Sequence, residues 1–127
     1  LVAGASMKAL LSMLNDKQLK MALDSMNLER VTKRTVTDKE VLMAQIKDVR
    51  RQGYAISRGE WLEGVMCISA PVTNYYLPLT LNVVGPESRL QPRVNEVIRE
   101  LRASAARLSA KIAHIFESTS EQPSTAS

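Results

Sequence analysis

A single cysteine, Cys67, stands in the 127-residue chain. No internal disulfide can form, so burial has to hold the fold together. The only histidine is His114. One Cys, one His and no clustered carboxylates do not make a zinc ligand set, and no metal or other cofactor is expected. Aromatic residues are 4% of the chain, so aliphatic side chains and the six methionines have to build the core. No apolar run approaches bilayer length; the longest are broken by Ser, Thr or Pro. These scarcities point away from a membrane and toward a reducing, cytoplasmic setting. The opening Leu-Val-Ala-Gly-Ala-Ser carries no charged leader, so it does not read as a signal peptide. It starts at Leu1 rather than Met, and the expectation is that an upstream part precedes it.

What is present is an ordinary globular mixture, 45% hydrophobic and 24% charged with a formal net charge of +4, at a length that suits one domain. Leu10, Leu11 and Leu14 after Ser6, a plausible N-cap, predict a short first helix. Asn15 and Asp16 offer the cap of a second helix, along which Leu19, Leu23 and Met26 recur at helical spacing. Thr37-Asp38-Lys39-Glu40 has the form of a capping box. The helix behind it carries Leu42, Ile46 and Val49 on one stripe, has Arg50 and Arg51 at its negative end, and closes at Gly53.

The pattern then alternates. Residues 54–57 predict a short strand and Arg58-Gly59 a turn. Val65, Cys67 and Ser69 alternate with Met66, Ile68 and Ala70, as in a strand covered on both faces. After a turn at Thr73-Asn74, Leu77, Leu79, Leu81 and Val83 point one way and Pro78, Thr80 and Asn82 the other, in a strand whose Pro78 stretch belongs at an edge. The two strands predict an antiparallel hairpin. Gly85-Pro86 ends the second, and Pro92 fits the first turn of a long helix. That helix has an apolar stripe of Val94, Val97, Ile98, Leu101, Ala105, Leu108, Ile112 and Ile115. Residues 118–127 are rich in Ser and Thr and predict a disordered tail. The expected architecture is α/β (α+β): an antiparallel sheet flanked by helices, thin enough that further N-terminal strands are expected outside this chain.

The segments from Gly53-Tyr54-Ala55 through Arg58-Gly59-Glu60, and above all residues 64–72 (Gly-Val-Met-Cys-Ile-Ser-Ala-Pro-Val), resemble the conserved core of the isocitrate lyase regulator (IclR) family of bacterial transcription regulators. Met7-Lys8-Ala9-Leu10-Leu11, Thr35-Val36-Thr37-Asp38 and residues 84–90 (Val-Gly-Pro-Glu-Ser-Arg-Leu) match further family motifs in the right order. The resemblance runs from about Gly4 to about Phe116 and implies a GAF/profilin-like effector domain over residues 1–117. It also implies a small-molecule effector, often an organic or aromatic acid, and DNA contact only through an upstream winged helix-turn-helix domain absent from this chain. Assembly as a homodimer or homotetramer is implied too.

The same resemblance places the effector pocket on Ala5 and Ser6, before the Lys-Ala-Leu-Leu helix, and on Ser57 and Cys67. Physically, a helix N-terminus with free N–H groups suits a carboxylate; the plainer account of Ser6 is a cap alone. At Ser57 the family often has Asp, so this site lacks that charge; an ordinary strand-end serine is the plainer account. Cys67 alternates in phase with Val65 and Ser69, so the three share a wall; Cys67 is equally a small buried hydrophobe. Trp61, the only tryptophan, sits between two strands, where it could close a pocket or pack in a loop. Tyr75 and Tyr76 fall at a hairpin turn.

Other classes fit less well. An enzyme would need a nucleophile and an oriented base, and only a Cys67–His114 dyad could supply them; no catalytic residues are expected. Lys33-Arg34 and Arg50-Arg51 could meet phosphates, but no recognition-helix motif or interleaved aromatics accompany them. The remaining alternative is a GAF-like module used for oligomerisation without a ligand.

Overall fold

The computed structural model describes residues 4–121. Three helices come first: α1 (Ala5–Ser12), α2 (Asp16–Ser25) and α3 (Lys39–Gln52). Strands β1 (Ala55–Arg58), β2 (Val65–Val72) and β3 (Leu79–Pro86) follow. The one-turn helix α4 (Glu87–Leu90), a 3₁₀ turn (Gln91–Arg93) and the long α5 (Val94–Glu121) complete the order. The sheet is antiparallel in the order β1-β2-β3, the α+β class expected.

The period-2 alternation of β2 sorts two hydrophobic layers. Met66, Ile68, Ala70 and Val72 are buried on one face against Leu101 and Ala105 of α5, with Ile56, Leu79, Leu81 and Val83 joining from the neighbouring strands. The opposite face of the sheet carries Ala55 and Cys67, which pack with Ala5 and Ala9 of α1 and Val49 of α3. A third cluster, Leu11, Leu19, Leu23, Leu42 and Ile46, joins the three N-terminal helices. Burying side chains of this size stabilises by about 1.5–3 kcal/mol each, so the aliphatic core makes up for the shortage of aromatics.

Several local expectations are corrected. Ser6 is not the cap of α1: Gly4 is, without a side-chain bond, and Ser6 lies inside the helix. Thr37 is not the cap of α3 either. Asp38 is, and its carboxylate accepts from the N–H groups of Glu40 and Val41. The cap prevails because a charged acceptor beside the positive helix end is the stronger partner. A reciprocal capping box forms one helix earlier, between Asn15 and Gln18. Gly53 closes α3 at φ 83°, left-handed as anticipated, with Arg102 of α5 packed over it so that an added Cβ would lie 3.2 Å from Nε.

Pro78 lies outside β3, which starts at Leu79; the ring nitrogen has no N–H for a ladder. Pro92 sits in the 3₁₀ turn rather than in α5 itself. The stripe on α5 is fully buried only at Leu101 and Ala105; Ile112 still packs against the sheet cluster, while Leu108 and Ile115 are exposed. Helix α5 continues to Glu121, past the expected start of the tail at residue 118; residues 122–127 lie outside those described.

Candidate functional site

The sheet face that carries Cys67 is only partly covered. Helix α1 enters across it with its N-terminus toward β1 and β2, and a cavity of about 330 Å³ remains under the helix tip. Gly4, Ala5 and Ser6 form one end of it, Ser57 and Cys67 the sheet wall, and Trp61 and Leu62 the side toward solvent. Met7, Leu10, Val65 and Val84 supply the remaining, apolar lining. Of the six residues expected at the site, Ala5, Ser6, Ser57, Trp61 and Cys67 meet in this one space.

Each wall follows from the local sequence. Helix α1 begins at Ala5 and its first intrahelical bond runs from the Lys8 N–H to the Gly4 carbonyl, 3.0 Å. The N–H groups of Ala5, Ser6 and Met7 therefore have no partner within the helix. Its first turn has no acidic side chain and its cap makes no side-chain bond, so nothing within the helix offsets the positive end of the dipole. The small residues Gly4 and Ala5 let that end approach the sheet: a Cβ at Gly4 would stand 3.9 Å from Ser57 Oγ. Ser57 is 6% exposed. Its hydroxyl makes no hydrogen bond to another described residue and is not shut away from solvent but opens on the cavity.

Ser69 departs from expectation. It shares the face with Cys67 but does not line the cavity; it is wholly buried, and its hydroxyl donates to Asn82 Oδ1 on β3. Ser6 Oγ donates to the same Asn82 Oδ1 at 3.0 Å, and Cys67 Sγ lies 3.6 Å from Ser69 Oγ. A polar chain thus ties the tip of α1 to β2 and β3. Val84 opposes Cys67 in the β2–β3 register and is 61% exposed. It was not anticipated; the signal that could have found it is its position two beyond Asn82 on the same phase of the strand. Gly4 and Leu62, not anticipated, bore only the weaker signals of a small residue before a helix and an apolar residue in a loop.

The lining holds no Lys, Arg, Asp or Glu among the described residues. Lys8, one turn into α1, is 2% exposed but turned away to Glu60, with Nζ 2.7 and 3.0 Å from its two carboxylate oxygens. The electropositive feature of the cavity is therefore the helix end itself. An anion would meet fixed N–H donors and the Ser57 hydroxyl, with apolar walls for an attached body. Cys67 and His114 are not brought together: His114 is exposed on α5, which packs on the other face of the sheet. Among the described residues no group of three metal-ligating side chains gathers, and no helix is long and apolar enough to cross a membrane.

A larger cleft of about 490 Å³ lies beside the β2–β3 hairpin, bordered by Arg50, Tyr75 and Tyr76. Arg50 is already committed to Asp16 and to the carbonyls of Ser12 and Leu14, which leaves that cleft without a free cation among the described residues.

Residues 1–110 match the family model described as bacterial transcriptional regulator IclR C-terminal. The HTH-type transcriptional regulator KdgR of Escherichia coli is 30% identical over 110 residues, 84% of this chain and 42% of its own length. The solved C-terminal domain of E. coli KdgR superposes with a TM-score of 0.79 at 30% identity, covering 88% of this chain and 70% of that one. The inducer-binding domain of the PobR transcription factor from Acinetobacter, solved as a double mutant with 3-hydroxybenzoic acid, gives a TM-score of 0.75 at 31% identity over 84% of this chain and 65% of that one. The chain spans less than half the length of KdgR.

Proposed function

The chain belongs to the IclR family of bacterial transcriptional regulators, in the part described as their C-terminal domain, and from that membership we propose that it senses an organic acid at the tip of α1. Residues 1–117 act as the effector-binding domain, and the bound acid alters operator binding by a winged helix-turn-helix domain elsewhere in the regulator. The regulator works in the cytoplasm and assembles as a homodimer or homotetramer, for which the exposed Tyr76, Leu77 and Phe116 offer apolar contact surface. It has no catalytic role in this reading.

The observation that carries the proposal is the meeting, in one cavity, of a helix N-terminus without a side-chain cap, a cavity-facing serine hydroxyl with no partner among the described residues, and apolar walls. The volume, about 330 Å³, lies at the small end of ligand pockets, which run to about 1,000 Å³, and suits a compact metabolite. With no Lys or Arg in the lining, the site fits a single carboxylate on an apolar body better than a polyanion. PobR, whose inducer-binding domain was solved with an aromatic acid, supports that class.

A ligand that binds only the folded form raises the melting temperature by mass action. Thermal shift with aliphatic and aromatic monocarboxylates, each beside its primary amide, tests the proposal. Stabilisation by an acid and none by its amide is expected. Equal response to acid and amide, or no response to any acid from a chain that still oligomerises, would leave the ligand-free assembly module as the better account.

A further inference from the structure

The buried ion pair between Lys8 and Glu60 lies outside the cavity, yet each partner adjoins one of its walls. Lys8 follows directly on Ala5, Ser6 and Met7, and Glu60 directly precedes Trp61 and Leu62. The side chains are only 3% and 12% exposed. Such a pair contributes little net stability, because desolvating both charges offsets most of their attraction; its stronger effect is to fix one arrangement.

The other anchors of the loop it holds bind its backbone and lie mostly toward the two ends. Residues 59–64 are flanked by Gly59 at φ 66° and Gly64 at φ 78°, left-handed positions that let the backbone reverse. The backbone bonds of the loop are Gly59 N–H to Val65 O, Val65 N–H to Leu62 O, and Glu87 N–H to Gly64 O at 2.8 Å. The Glu60 carbonyl accepts from Thr35 Oγ1 at 2.7 Å, and Thr32 Oγ1 donates to the Gly59 carbonyl. Among the described residues no hydrogen bond holds the side chain of Trp61, which is 65% exposed.

We propose that the Lys8–Glu60 pair is a latch that fixes the Trp61–Leu62 wall against the tip of α1, and so sets ligand affinity without touching the ligand. Lys8 and Glu60 are positioning residues. The affinity part rests on the acid-sensing reading above; the latch itself does not.

Trp61 is the only tryptophan, so its fluorescence reports on this loop alone. In the ligand-free 127-residue chain, Glu60→Gln keeps the side-chain shape and removes the charge. The expected result is an unchanged far-UV circular dichroism spectrum, with faster and wider motion in the Trp61 anisotropy decay and stronger acrylamide quenching. The exchanged pair Lys8→Glu with Glu60→Lys should restore slow decay. If Glu60→Gln does not fold, Glu60→Asp, which keeps the charge and shortens the reach, takes its place. With 3-hydroxybenzoate or benzoate as the probe, the loosened variant should bind roughly two- to thirtyfold more weakly, the range by which remote residues modulate a site. A folded variant whose Trp61 motion matches wild type overturns the latch, and a loosened loop with undiminished affinity overturns its control of binding. Failure of the wild type to bind either acid counts against the acid-sensing reading, while the latch stands or falls on the fluorescence.

Discussion

Ser57 shows how one side chain separates binding from folding. It is 6% exposed and its hydroxyl has no partner among the described residues, so Ser57→Ala removes no internal hydrogen bond. The unfolding midpoint in urea should shift little, because the lost hydroxyl faced the cavity and not a protein partner. If the hydroxyl holds the acid, the same substitution should weaken binding by about 1 kcal/mol, or roughly fivefold, the usual net value of such a bond. Calorimetric titration of the acid that stabilises the wild type checks this, and equal affinity in the two proteins would remove Ser57 from the site. The position was legible in the sequence because a family motif marked it. That its hydroxyl would be unspent was not, because pairing depends on neighbours from α1 that sequence order does not bring near. Ser69 makes the same point in reverse: its phase along β2 put it beside Cys67, but only the register with Asn82 shows where its hydroxyl goes.

The helices were legible wherever a periodic stripe met a distinctive terminus. Helix α3 carries Leu42, Ile46 and Val49 on one face and ends on a left-handed glycine, each of which is local information. Boundaries chosen between competing acceptors were less legible, as with Thr37 against Asp38 and Ser6 against Gly4. What joins α1 to α2 could not be seen from spacing at all. Arg50, on α3, donates to Asp16 Oδ1 at 2.6 Å and to the carbonyls of Leu14 and Ser12, pinning the end of one helix to the start of the next. The Arg50 guanidinium, by hydrogen bond and then by charge, holds the Asp16 carboxyl below its ordinary value of 3.8. A lowered folded-state value means that Asp16 contributes stability above the ordinary carboxylate range, and that the contribution is lost as pH falls through its folded-state value. Asp16→Asn should therefore melt slightly below wild type at neutral pH, and the gap should close in strong acid. Because Asp16 is exposed, the effect is small. Paired melts at pH about 7 and about 2.5 follow from that window; a gap that persists unchanged in acid would assign the effect to something other than the charge.

At the scale of the whole molecule, the sheet separates two tasks. On one face α5 buries Met66, Ile68 and Ala70 of the central strand, while the other is left partly open beneath α1. The alternation of β2 already implied two covered faces, but which one is incompletely covered depends on where α1 crosses, a tertiary fact. The surface charge is dispersed rather than gathered. Arg51 pairs with Asp48, Arg93 with Glu96 and Arg34 with Glu87, and Arg50 is pinned to Asp16. Of the two basic pairs noted in the sequence, Arg50-Arg51 is therefore largely neutralised by near neighbours, and in Lys33-Arg34 the arginine is shared with Glu87. A net charge of +4 still attracts a polyanion, and that attraction depends on counterion release, not on base sequence. The 127-residue chain should therefore bind duplex DNA weakly and without sequence preference. Raising salt from about 50 to about 200 mM should largely abolish the binding, as for non-specific phosphate contacts. Fluorescence anisotropy with two unrelated labelled duplexes at both salt concentrations makes the comparison. Tight binding to one duplex alone, persisting at the higher salt, would mean that this part reads DNA itself, and the division of labour with a winged helix-turn-helix domain would have to be given up.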